Sequence, residues 1–144
     1  MDNEGLDLDI EFKCIDKNAK IPQLSTKWSV GYDLYSVVDT ILLPNTVTKI
    51  PLGLTLCMPP WIWAQILSRS SMAVKGIQTC GGVIDPDYSG EINVVLHNTT
   101  NEPYMVTKGQ RIAQMVFHHA VYPIYNEANC KTERGDGGFG STGE

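Results

Sequence analysis

Short runs of alternating apolar and polar residues, cut every few positions by turn chemistry, restrict this chain to a sheet-based fold. In "IEFKCI" (10–15) Ile10, Phe12 and Cys14 fall on one face, and "TVTKI" (46–50) and "GLTLCM" (53–58) alternate in the same way. "IWAQIL" (62–67) and "EINVVLH" (91–97) are fuller apolar runs, which predict strands buried on both faces. "QRIAQMVFHH" (110–119) predicts another strand, and "LPNT", "MPP", "DPDYSG", "NTTNEP" and "TKG" supply the turns between them. Only "SSMAVK" (70–75) reads as helical, with a serine pair offering an N-cap and Gly76 a stop. The pattern predicts an all-β sandwich or barrel of antiparallel strands with one short helix. Periodicity fades near Tyr125, so residues 1–124 are expected to form the β domain and 125–144 an arm. Within that arm "RGDGGFGSTG" (134–143) is half glycine and offers too little apolar surface to fold alone.

A length of 144 residues suits one domain with its own core. The net charge of −5 argues against a broad basic surface, so direct binding to nucleic acid or to an anionic membrane is not expected. An anionic ligand would have to be met by a few placed cations. Cys14, Cys57, Cys80 and Cys130 are widely spaced with no C-x-x-C pair, which fits neither a zinc site nor a dense disulfide framework. The acidic start "MDNEGLDLDIE" is no presequence, and the longest apolar stretch is interrupted by Pro59 and Pro60. The expectation is a reduced, intracellular protein, cytoplasmic or nuclear, neither secreted nor membrane-embedded.

Four segments could carry chemistry. In "GGVIDPDYSGEI" (81–92) Val83 and Ile84 lead into a turn and Gly90 lets the chain return, so a hairpin is expected with Asp85, Pro86, Asp87 and Tyr88 at its tip. Asp-Pro-Asp and Ser-Gly are also ordinary turn residues. A carboxylate at a strand end can equally take a proton from water, and a neighbouring aromatic can press on a flat or sugar-like group. In "SRSSMAVKG" (68–76) Arg69 precedes two hydroxyls at a helix start, a reasonable phosphate cradle or simply a capped helix with a solvated arginine. "GYDLYS" (31–36) sets Tyr32, Leu34 and Ser36 on one face and Asp33 with Tyr35 on the other. A carboxylate there could hold the water shell of Mg²⁺. "GQRIAQ" (109–114) contributes Arg111 and Gln114. His118 and His119 are neighbours on a strand, so they point to opposite faces and cannot share a metal. "GGFGST" lacks the lysine of a P-loop.

In order and spacing, "GYDLYS", "RSSMAVKG", "GGVIDPDYSGEI", "GQRIAQ" and "RGDGGFGSTG" resemble the five motifs of the homotrimeric dUTPases, from about residue 30 to residue 143. The resemblance implies a distorted, jelly-roll-like β subunit with a flexible glycine-rich C-terminal arm, three copies of which share each active site. It implies a Mg²⁺-dependent dUTP diphosphatase that releases dUMP and pyrophosphate, limiting uracil incorporation into DNA and supplying dUMP for dTMP synthesis. By position, Asp85 would activate the water that attacks the α-phosphorus. Tyr88 would pack on the deoxyribose, and the main chain of Gly82, Val83 and Ile84 with Asn93 would read uracil. Arg69, Ser70, Ser71 and Gln114 would bind phosphates, and Asp33 would hold Mg²⁺ through its waters. From the arm, Phe139 would stack on uracil while Arg134, Ser141 and Thr142 take the γ-phosphate. The chain departs from two of the motifs: Ser71 and Met72 stand where Gly-Leu is more frequent, and Val30 where alanine is common. A dCTP deaminase, or a non-catalytic nucleotide-sensing trimer, are the competing readings of the same fold.

Overall fold

Alternation does produce strands almost everywhere it occurs. The computed structural model describes residues 9–129 and 131–140. In chain order these form β1 (Glu11–Cys14), β2 (Gln23–Leu24), β3 (Tyr32–Tyr35), β4 (Thr40–Leu42), β5 (Val47–Pro51), β6 (Leu54–Cys57) and β7 (Ile62–Leu67). There follow α1 (Ser70–Ala73), β8 (Ile77–Thr79), β9 (Val83–Ile84), β10 (Asn93–Asn98), β11 (Tyr104–Val106) and β12 (Arg111–His119). The ladders are antiparallel and make four sheets, ordered β1-β6, β5-β10-β8, β11-β4 and β2-β3-β12-β7-β9. They share a single core in which Leu34, Ile50, Ile66, Val94, Ile112 and Met115 are buried. The result is a jelly-roll-like all-β domain. No helix among the described residues is long and apolar enough to cross a membrane.

Four details differ from the sequence expectation. Ile10 and Phe12 pack against the core, but Cys14 is exposed, because it falls where the two-stranded ladder ends. The runs at β7 and β10 are not buried on both faces. Ile62, Ala64 and Ile66, like Val94, Leu96 and Asn98, are buried, while their alternate neighbours are half-buried. Asn98 tolerates burial because its amide donates to the carbonyls of Leu42 (2.9 Å) and Glu102 (2.8 Å), and its carbonyl accepts from Thr100. The helix has no serine cap. Arg69 occupies the N-cap in extended conformation without a side-chain cap bond, and its carbonyl accepts the N–H of Met72 and Ala73.

Finally, β9 and β10 do not pair as a hairpin. β9 joins the edge of the five-stranded sheet beside β7, whereas β10 lies between β5 and β8. Residues 85–92 therefore cross from one sheet to another as a loop. Long-range packing chooses those partners, so a turn signal between two apolar runs does not fix them.

The strongest departure from regular pleating lies in β12. Its register against β3 shifts between Arg111 and Ala113, so Ile112 and Ala113 are both buried in succession. A bulge of this kind re-aims the side chains that flank it. Here those are Arg111 and Gln114.

Candidate active site

β3, β12 and the start of α1 meet around a cleft of about 310 Å³ lined by Asp33, Arg69, Ser70, Ser71 and Gln114. Asp33 is the carboxylate of this group, placed on the outer face of β3 by the alternation that buries Leu34. Its two oxygens face two guanidiniums: Oδ1 is 3.7 Å from Arg69 Nε and Oδ2 is 3.5 Å from Arg111 Nη1. Arg69 Nη1 also donates to the Arg111 carbonyl (3.3 Å). Gln114 Nε2 donates to the Ser68 carbonyl (3.0 Å), which fixes the amide beside the helix start. A helix start leaves its leading N–H groups without intrahelical partners. Arginine, hydroxyl and amide donors thus converge on one concavity suited to an anion.

That arrangement depends on Gly31. A Cβ at this position would come within 2.0 Å of Gln114 Oε1 and 2.9 Å of its Cδ, so only glycine leaves the amide where it is. Ser71, by contrast, needs no glycine. The non-glycine residues with positive φ among those described are Asn45 and Phe139, so Ser71 sits in the helix without left-handed strain. Met72 is buried in the core, and Val30 is largely exposed and crowds nothing.

A second cleft, of about 220 Å³, is lined by Ile66, Gly82, Val83, Ile84, Asp85, Tyr88, Glu91, Ile92 and Asn93. Gly82 has φ +118° and its absent Cβ would stand 2.6 Å from the Ile66 carbonyl, so the loop backbone lies directly on β7. Tyr88 closes a turn through its N–H to the Asp85 carbonyl (3.1 Å), and its hydroxyl donates to the Glu91 carbonyl (2.7 Å). Asn93 Nδ2 donates to the same carbonyl (3.2 Å). The Asp85 carboxylate is exposed at the rim. This cleft offers backbone polar groups, an aromatic wall and a carboxylate.

The two clefts are not one. β9 pairs with β7 as Ala64↔Ile84 and Gln65↔Val83, so Asp85 continues alongside Trp63, while Arg69 lies beyond the other end of β7. At roughly 3.3 Å per residue, the separation within one chain is on the order of 15–20 Å. His118 and His119 do face opposite ways. His118 stacks on Trp63 at 4.5 Å and hydrogen-bonds Gln65, whereas His119 is exposed.

In the arm, Phe139 is fully exposed and Arg134 is exposed with its Nε donating to the Gly137 carbonyl. The N–H groups of Gly135 and Gly137 make local turns with Thr132 and Arg134. Ser141 and Thr142 lie outside the described residues. Motif reading names Arg111 without a role and does not single out Glu91, Ile92 or Gly31, and all four border the two clefts. Arg111 stood three residues before Gln114, and only the bulge brings its guanidinium to Asp33.

A concavity lined by Arg69, two serines, Gln114 and Asp33 and a separate loop-walled cleft are thus carried on a jelly-roll-like all-β domain. The family model for dUTPase matches residues 17–143, and the chain belongs to the dUTPase family. It is 37% identical over 145 residues to the deoxyuridine 5'-triphosphate nucleotidohydrolase of Variola virus, covering 99% of both chains. The same identity and coverage hold for the Vaccinia virus (strain Copenhagen) protein. Among solved structures, the Staphylococcus bacteriophage 80alpha dUTPase with dUpNHpp superposes with a TM-score of 0.84 at 26% identity, covering 94% of this chain and 99% of that one. A point mutant of the dUTPase of phage phi11 of S. aureus, described with a structural Mg(II) ion, shares the fold at TM-score 0.78 and 20% identity over 83% of this chain and 96% of that one.

Proposed function

We propose that this chain hydrolyses dUTP to dUMP and pyrophosphate, in a homotrimer whose active sites are assembled between copies. The observation that carries the reading is the pair of clefts: a phosphate cradle and a carboxylate-bearing nucleoside cleft, each well formed, at opposite ends of β7. A base and a phosphate clamp must meet at one phosphorus, which a separation on the order of 15–20 Å within one chain prevents. A symmetric assembly brings the Asp85 end of one copy to the Arg69 end of the next.

In that site the backbone of Gly82, Val83 and Ile84 with Asn93 reads the uracil edge, and Tyr88 packs on the deoxyribose, leaving no space for a 2′-hydroxyl. Arg69, Ser70, Ser71 and Gln114 hold the phosphates. Asp85 takes a proton from water as its oxygen bonds to the α-phosphorus. The bond from that phosphorus to the bridging oxygen breaks on the opposite side, and pyrophosphate departs with the electron pair. Such a displacement is served chiefly by positioning and charge neutralisation.

Among the described residues no three His, Cys, Asp or Glu side chains gather to enclose a metal ion. Asp33, the carboxylate of the phosphate cleft, instead fits Mg²⁺ that keeps its waters and binds mainly through substrate phosphates. When bound, Mg²⁺ would neutralise phosphate charge. Residues 125–144 act as a lid, Phe139 stacking on uracil and Arg134, Ser141 and Thr142 reaching the γ-phosphate. The free, exposed thiols of Cys14, Cys57 and Cys80 suit a reducing compartment, so we place the enzyme inside the cell, acting on the free nucleotide pool.

The test is pyrophosphate release with Mg²⁺ from dUTP, UTP, dTTP and dCTP. Rapid release from dUTP alone is expected; equal rates with UTP or dTTP, or none with dUTP, would reject the reading. Two variants probe its parts. Phe139→Ala is expected to weaken dUpNHpp binding by roughly 1–3 kcal/mol, the worth of stacking on a base; an unchanged dissociation constant excludes contact with uracil. Gly31→Ala must displace the Gln114 amide, and about a tenfold weaker dUpNHpp affinity is expected with thermal stability little changed. Unaltered affinity would remove Gln114 from the phosphate site.

A further inference from the structure

Asp33 faces two cations at once. Its side chain is only 15% exposed and each carboxylate oxygen faces a different guanidinium, Arg69 on one side and Arg111 on the other. The distances, 3.7 and 3.5 Å, exceed those of tight charge-assisted hydrogen bonds, so each guanidinium keeps donors available for a further anion. Arg69 is further held by the Arg111 carbonyl at the bulge of β12. Two guanidiniums against one carboxylate leave a single positive charge in the cradle, within a chain whose overall charge is −5. Without Arg111 the group would be neutral, although its purpose is a polyanion. Both carboxylate oxygens face guanidinium side chains.

We propose that Asp33 is a positioning residue for Arg69 and Arg111, aligning the pair for phosphate before and independently of magnesium, in addition to any contact with magnesium-bound water. The inference rests on the phosphate-binding reading of this cleft. Simple electrostatics and alignment predict opposite signs when the charge is removed. Asp33→Asn takes away a negative charge near the ligand, which by Coulomb attraction alone should tighten polyanion binding. Loss of alignment should weaken it, because a flexible arginine must then be ordered by the ligand itself.

The experiment is calorimetric titration of dUpNHpp and of inorganic tripolyphosphate in excess EDTA, with unfolding temperature measured for every variant. Wild type is expected to bind both ligands without metal. Asp33→Asn should bind each about tenfold more weakly at unchanged unfolding temperature. Asp33→Glu, which restores the carboxylate on a longer stem, should recover part of the loss and serves equally if the asparagine variant fails to fold. In an Arg111→Gln background the cost of Asp33→Asn should shrink, since part of what Asp33 aligns is already gone. Equal or tighter binding by Asp33→Asn, no recovery with glutamate, or an undiminished cost in the Arg111→Gln background overturns the proposal. Wild-type binding that requires Mg²⁺ also overturns it, while leaving dUTP hydrolysis standing. If wild type binds tripolyphosphate but never dUpNHpp, with or without Mg²⁺, the dUTP reading fails and the tripolyphosphate series still decides the role of Asp33.

Discussion

Asp85→Asn is expected to lower dUMP formation at least about a hundredfold, the usual consequence of losing a general base. The substitution preserves shape and removes only the ability to take the proton. Asp85 is exposed at the rim of its cleft, with Tyr88 and the Gly82–Ile84 backbone forming the walls, so nothing in the fold depends on its charge. Affinity for dUpNHpp should therefore remain near wild type while turnover collapses. A variant that keeps its rate excludes Asp85 as the base. One that loses binding in step with rate assigns it to substrate attachment instead.

Two inactive chains should restore activity when refolded together. Arg69→Ala removes the guanidinium of the cradle and Asp85→Asn removes the base, and each alone is expected to form inert trimers. If a site takes Asp85 from one copy and Arg69 from another, some sites in mixed trimers receive both intact groups. Random one-to-one mixing predicts roughly a quarter of the wild-type rate per site, a rise of well over tenfold above either parent. If base and cradle came from the same chain, every site would lack one of them and mixing would restore nothing. The result separates a shared site from three independent ones without any structural measurement.

Much of this arrangement was legible in the residues. The alternation in "GYDLYS" put Asp33 on the face opposite Leu34, and the structure has Leu34 buried and Asp33 lining a cleft. The helical turn after Arg69 and the long strand at 110–119 were also readable. β2, β4, β8 and β11 were not, because strands of two or three residues carry too few positions for a period to register. The partners of β9 and β10 were misjudged for a different reason. Each end of that loop is apolar and a tight turn lies between them, yet the core draws Ile84 to one sheet and Val94 to another. "GQRIAQ" names Arg111 beside Gln114 but gives it no partner, because its approach to Asp33 arises from a register shift, which no local pattern announces.

The pairing of β3 with β12 also governs when the protein can become an enzyme at all. Asp33 and Gln114 are register partners although about eighty residues separate them in the chain. Closing so long a loop is slow, and domains dominated by such contacts reach the native state in milliseconds to seconds rather than microseconds. On the ribosome the central sheet must wait for residues near the carboxyl end to emerge. Until then β3 and β7 present unsatisfied edges, open to pairing with another nascent chain. Yield in a cell should therefore respond to growth temperature and chaperone supply more than to changes on the finished surface.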